Sequence, residues 1–141
     1  MNLKKAEKTL KKLFLNKNIN IDTKIEDDHV TLLTSVNVDG INQDIDIYLF
    51  TYNGGTLYMA FSLQCIKETE EALRAVNRYN QGSSLLKAII NDEDFDIVYQ
   101  SWDVTDKNLA YQVERAMRLF SHDDSISALQ PLIPLTYKKE K

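Results

Sequence analysis

A lone cysteine, Cys65, leaves the chain without any internal disulfide, so a reduced, intracellular setting is expected; only a bridge between two subunits stays open. Two prolines and four glycines leave little room for a flexible linker. With 141 residues, the chain fits one domain able to bury most of its unfolded surface. We place that domain at 1–137, followed by a frayed tail at 138–141. No apolar run approaches the roughly 18 residues that cross a bilayer. The segment 1–15 is too charged for the apolar core of a signal peptide. A cytoplasmic protein without membrane attachment is the expectation.

What is present belongs to a globular protein: 43% hydrophobic and 27% charged residues are enough to build a core and too apolar for disorder. The net charge of −4 argues against nucleic acid as a partner, because affinity for phosphates comes from a basic surface. The charge is unevenly spread. Lys4, Lys5, Lys8, Lys11, Lys12 and Lys17 stand against Glu7 in the first segment. Asp22, Glu26, Asp27 and Asp28 follow, and Asp92, Glu93, Asp94 and Asp96 make a second acidic group. A solvated helix face beside acidic loops accounts for this pattern.

Periodicity orders the rest. Leu3, Ala6, Leu10, Leu13 and Phe14 recur at three- and four-residue steps, which predicts an amphipathic helix over 2–16. Asn16 or Asn18 suits its left-handed end. Residues 18–26 alternate weakly through Ile19, Ile21 and Ile25, an extended entry to the sheet. Val30, Leu32, Val36, Ile45, Ile47, Leu57, Met59 and Phe61 then alternate with polar neighbours, and Asp39-Gly40 and Asn53-Gly54 supply turns. This predicts a three-stranded antiparallel meander. A helical stripe of Ile66, Leu73, Val76 and Tyr79 runs to about Asn80, with Glu70 and Arg74 paired along it. Strand spacing returns at Leu86, Ala88 and Ile90 and again from Phe95 to Val104. Thr105 or Asp106 then caps a helix striped by Leu109, Val113, Ala116, Met117 and Phe120. A further short helix follows Asp123. The fold class is α+β: helix, three-stranded meander, helix, two-stranded hairpin and helix, on a single five-stranded sheet.

Catalytic chemistry finds few candidates. His29 and His122 sit in separate charged segments without a matched partner, where solvated surface histidines suffice as an account. Cys65 falls at a strand-to-helix junction that could lower its pKa, but a small buried hydrophobe is the commoner role. Asp27, Asp28 and His29 are neighbours on an extended chain and point to alternate faces, which disfavours a shared metal. The acidic run 91–96 lacks the glycine and distal glutamate of a calcium loop. Gly54-Gly55 precedes no helix and no lysine of a phosphate loop. We therefore expect no catalytic residues, no metal and no cofactor. Tyr48, Tyr52 and Tyr58 share the polar face of the meander, with Tyr99 and Trp102 on the last strand. Rigid aromatic area of this kind suits a protein partner, unless helices cover it.

The segment order, together with Ala75-Val76-Asn77-Arg78-Tyr79-Asn80 followed by Leu86-Lys87-Ala88-Ile89-Ile90, resembles the YbjN-like family and the type III secretion chaperones of similar fold. The likeness spans nearly the whole chain in element order and about a dozen residues in motif. The lysine-rich first helix and the chain after Ser121 depart from it. It implies a non-catalytic, chaperone-like or adaptor protein that binds another polypeptide and forms a homodimer. The dimer contacts implied lie near 66–90, at Leu73, Val76, Tyr79 and Leu85. The partner-binding residues are thus Tyr48, Tyr58, Leu73, Val76, Tyr79 and Leu85. Two alternatives remain: a nucleic-acid or nucleoprotein binder working through the first helix, and a phage or mobile-element inhibitor of a host protein.

Overall fold

The structure, a computed structural model, describes residues 2–38, 41–50, 55–63, 66–67, 69–82, 85–91 and 94–135. The turn residues Asp39-Gly40 and Asn53-Gly54, along with Tyr52, Cys65, Asp92, Glu93 and the tail at 138–141, lie outside the described residues. In chain order the elements are α1 (Leu3–Asn16), β1 (Asp22–Ile25), β2 (His29–Val38), β3 (Ile41–Phe50), β4 (Thr56–Leu63), α2 (Glu70–Gly82), β5 (Lys87–Asn91), β6 (Asp94–Ser101), α3 (Leu109–Phe120), α4 (Asp123–Leu129) and a closing 3-10 helix (Gln130–Leu135). The fold is α+β, but the sheet has six strands rather than the five expected from the sequence. Their order is β1-β2-β3-β4-β6-β5, and every pairing is antiparallel.

The added strand is β1. It pairs Asp22–Ile25 with Leu33–Val30 at the sheet edge, where three of its four side chains are exposed. An edge strand with so little burial has no need of strong apolar alternation, which explains its weak signal. In the tail, α3 is followed by the short helix expected after Asp123, α4, and the chain then closes in a 3-10 helix. Between α1 and β1, Asn18 adopts the left-handed conformation (φ 58°) suited to an asparagine after a helix. α2 begins at Glu70 rather than at Ile66, because the Thr69 hydroxyl accepts the Ala72 amide (3.2 Å) and caps the first turn. α3 begins at Leu109, after Thr105 and Asn108 exchange side-chain-to-amide bonds of 2.8 and 3.3 Å.

The meander strands share one buried row of side chains, and β4 is buried on its other side as well, at Thr56, Ala60 and Ser62. Val30, Leu32, Ile45, Ile47, Leu57 and Met59 are fully buried and Phe61 nearly so, as the alternation predicts, while Val36 is half-buried against them. Ala6, Leu10 and Phe14 of α1, Ala72 of α2 and Val113, Ala116 and Phe120 of α3 join this same cluster. Phe61 and Phe120 stack at 5.3 Å and 10°, which fastens α3 to the sheet centre. The helical core residues all gather on this one side of the sheet. The opposite face carries no packed helix among the described residues.

Candidate functional site

Strand parity places a defined set of residues on the helix-free face. Asp22, Leu33, Asp46, Ala60, Val98 and Lys87 are in register across all six strands. One row along lie Thr31, Tyr48, Tyr58 and Gln100; one row the other way lie Ser35, Asp44, Ser62, Asp96 and Ile89. The face is therefore split. Aromatic rings gather toward one end of the meander, and carboxylates toward the other.

At the aromatic end Tyr48 and Tyr58 are direct cross-strand partners with ring centroids 6.2 Å apart at 59°. Phe50 stacks on Tyr48 at 6.5 Å and 11°, and His29 lies 5.0 Å from Phe50. Pairs at these separations favour a fixed mutual arrangement of the rings. Tyr48, Phe50 and Tyr58 stay half-buried, although no helix among the described residues packs on them. Leu33 (49% exposed) and Ile89 (38%) add aliphatic surface to the same face.

At the acidic end Ser35 Oγ donates to Asp44 (2.5 Å) and Ser62 Oγ donates to the buried Asp96 (2.6 Å). Partial burial pushes the Asp46 carboxyl up from its ordinary value of 3.8 to about 6, with repulsion from Asp44, Asp96 and Asp94 adding to it. Asp96 is also raised, by burial first and by Asp94 next, against the lowering effect of the Ser62 bond. Burial raises Tyr58 too, with help from the nearby Asp96, Tyr48 and Asp46. Among the described residues, Asp22, Asp44, Asp46 and Asp96 form no ion pair with lysine or arginine. Asp22, Asp44 and Asp46 line an open groove of about 340 Å³, with Leu33, Ser35 and Ile21 among its other walls.

Of the residues expected to bind a partner, only Tyr48 and Tyr58 come together here. The others belong to α2 and the approach to β5. Leu73 and Leu85 are 46% and 52% exposed, whereas Val76 and Tyr79 are half-buried against the core. Ser125 Oγ donates to Leu119 O (3.0 Å), so the Tyr79 hydroxyl, 3.1 Å away, is left to donate to Ser125. Tyr99 is not a surface residue: it is buried on the covered face, and its hydroxyl donates to Gln112 (2.5 Å). Trp102 is 55% exposed beyond the end of β6. The carboxylates escaped sequence reading. Asp44 and Asp46 alternate with core residues on β3, but their meeting with Asp22 and Asp96 depends on strand register.

The remaining candidates are dispersed. His29 Nδ1 lies 2.6 Å from Asp28, an exposed carboxylate held below its usual range chiefly by that bond. Among the described residues, no group of three or more histidine, cysteine, aspartate or glutamate side chains is arranged to hold a metal ion. None of the described helices is long and apolar enough to cross a membrane. Compared with known proteins, the chain matches no family model and no curated protein.

Proposed function

We propose that this chain is a non-catalytic, cytoplasmic protein-binding module, chaperone-like or adaptor in kind, that uses the helix-free sheet face. The observation that carries this reading is the Tyr48–Tyr58 pair with Phe50 on a face that no helix of the described chain covers. Tyrosine and phenylalanine combine large contact area with few rotatable bonds, so they bind a partner at low entropy cost. The resemblance to YbjN-like proteins supports the same reading. The element order is similar in outline to the one the resemblance implies, with a sixth strand, β1, in front. The proposal includes a homodimer through α2 and the chain leading into β5, where Leu73 and Leu85 remain exposed.

A nucleic-acid reading draws on α1, whose Lys4, Lys5, Lys8 and Lys12 are all exposed. The aromatic face does not support it, since the carboxylates beside Tyr48 and Tyr58 would repel phosphates. Affinity capture from the native cell tests the protein-binding reading. The wild type, Tyr48→Ser/Tyr58→Ser and a remote control, Leu15→Ser, are compared for co-purifying protein and nucleic acid. Proteins retained by wild type and control but lost by the double variant support the proposal. Salt-sensitive nucleic acid retained by all three overturns it.

A further inference from the structure

A sheet face without a helix among the described residues, and buried at its centre at Ala60, Ser62 and Asp96, names no partner by itself, but its charge does. Asp22, Asp44, Asp46 and Asp96 converge there, and no lysine or arginine of the described chain forms an ion pair with any of them. Lys87 ends one row and Lys24 another; Lys24 is engaged by Glu26 at 2.7 Å. Asp44 and Asp46 are half-buried, and carboxylates held half out of water are stabilised most by a cation brought against them. The groove that Asp22, Asp44 and Asp46 line also has Leu33 and Ile21 in its walls, which suits an aliphatic stem ending in a charge. Next to it, Tyr48 and Tyr58 offer ring faces to a second cation or to apolar side chains.

The sheet edges are poor docking sites by comparison. Asn80 Nδ2 donates to Ala88 O (2.9 Å) and Asn80 Oδ1 accepts Ala88 N (2.7 Å), so a side chain already occupies this stretch of the outer edge of β5. The other edge is β1, four residues long and bearing the charged Lys24. Short, charged or occupied edges resist added strands. A partner is directed to the face.

We propose that the open sheet face receives a basic amphipathic polypeptide segment, with one of its lysine or arginine side chains seated in the groove between Asp22, Asp44 and Asp46. This rests on the reading of that face as a protein-docking surface. It adds the chemistry of the occupant. A second copy of the chain presenting its lysine-rich α1 is the competing occupant, and a free polyamine is another.

The test uses the full chain and three synthetic helical peptides of about 16 residues. They share a leucine stripe and carry arginine, glutamine or glutamate at the remaining positions. Binding is read by fluorescence anisotropy at low and moderate salt, and the contacted amides by two-dimensional NMR. The arginine peptide is expected to bind, to weaken with salt and to shift the amides around Leu33, Asp46, Tyr48 and Tyr58. Asp44→Asn/Asp46→Asn should weaken it by about tenfold or more, as losing charge partners at an interface does. Glu70→Gln/Glu71→Gln removes the same charge from exposed positions on α2 and should leave binding unchanged. Aspartate-to-asparagine changes keep shape, and a thermal melt verifies that the variants fold.

Equal binding of the arginine peptide to both double variants overturns the proposal, as does the absence of binding at millimolar peptide. If the glutamine peptide binds the same amides as tightly, the face docks polypeptides but the basic partner is wrong. Displacement of the arginine peptide by an equal concentration of spermine makes the groove a small-cation site and also overturns the proposal. Salt-sensitive self-association without peptide, lost in Lys4→Glu/Lys8→Glu, assigns the face to a second copy instead.

Discussion

Tyr48 on β3 and Tyr58 on β4 stand directly opposite each other, 6.2 Å between ring centroids, on the side of the sheet away from every packed helix of the described chain. The same two strands turn Ile47 and Met59 into the core. Strand alternation thus ties the outer placement of the two tyrosines to the inner packing of Ile47 and Met59.

The pair formed by Asn80 and Ala88 gives a stability prediction. Asn80→Ala leaves the amide and carbonyl of Ala88 without their side-chain partner. A loss of about 1–3 kcal/mol is expected, read as a lower urea midpoint at unchanged slope. The freed edge of β5 should also raise aggregation at high concentration. An unchanged midpoint would show that water replaces both bonds at no cost.

Asp46 makes stability depend on pH in an unusual sense for a carboxylate. Its folded value, about 6, lies above its ordinary 3.8, so the folded state holds the proton more tightly than the unfolded chain. The contribution is fully present below 3.8 and is lost as pH rises through about 6. Solvent screening of this half-buried group reduces its size. Asp46→Asn should therefore gain stability relative to wild type at neutral pH and gain little at pH near 4. Urea midpoints of both proteins at the two pH values check this; an equal difference at both contradicts it.

The dimer prediction separates two kinds of apolar residue on α2. Leu73 is 46% exposed, so Leu73→Lys should split a dimer formed there without unfolding the monomer. Val76 packs against the core, so Val76→Lys should destabilise the fold itself, by about 1–3 kcal/mol for a buried charge that can partly reach water. Sedimentation equilibrium, run with thermal melts, distinguishes them. A single species at 16.3 kDa for wild type across micromolar concentrations removes the dimer.

The meander was legible because Val30, Leu32, Ile45, Ile47, Leu57 and Met59 all turn into the core at a period of two, although β4 is also buried on its other side at Ala60 and Ser62. The position of Asn18 after α1 was legible for a local reason, its tolerance of positive φ. β1 was barely legible, since an exposed edge strand is held mainly by its backbone pairing with β2 and by the Thr23 hydroxyl donating to Glu7 (2.9 Å), neither of which needs apolar alternation. That Tyr48 and Tyr58 share a face follows from parity alone. Which face the helices choose does not, because it is decided by α1, α2 and α3 packing together from distant parts of the chain. The groove is the least local feature. Asp22 reaches Asp46 only through Leu33, by two successive strand registers.

Site-specific photocrosslinking in the native cell reads directly which surface touches a partner. A benzophenone amino acid is placed at Tyr58, at Leu73 and at Lys8, one position per variant, on the open sheet face, α2 and the lysine face of α1. Protein adducts are expected at Tyr58, adducts of twice the chain mass at Leu73, and none at Lys8. Adducts at Lys8, to nucleic acid or protein, with none at Tyr58 would contradict that expectation.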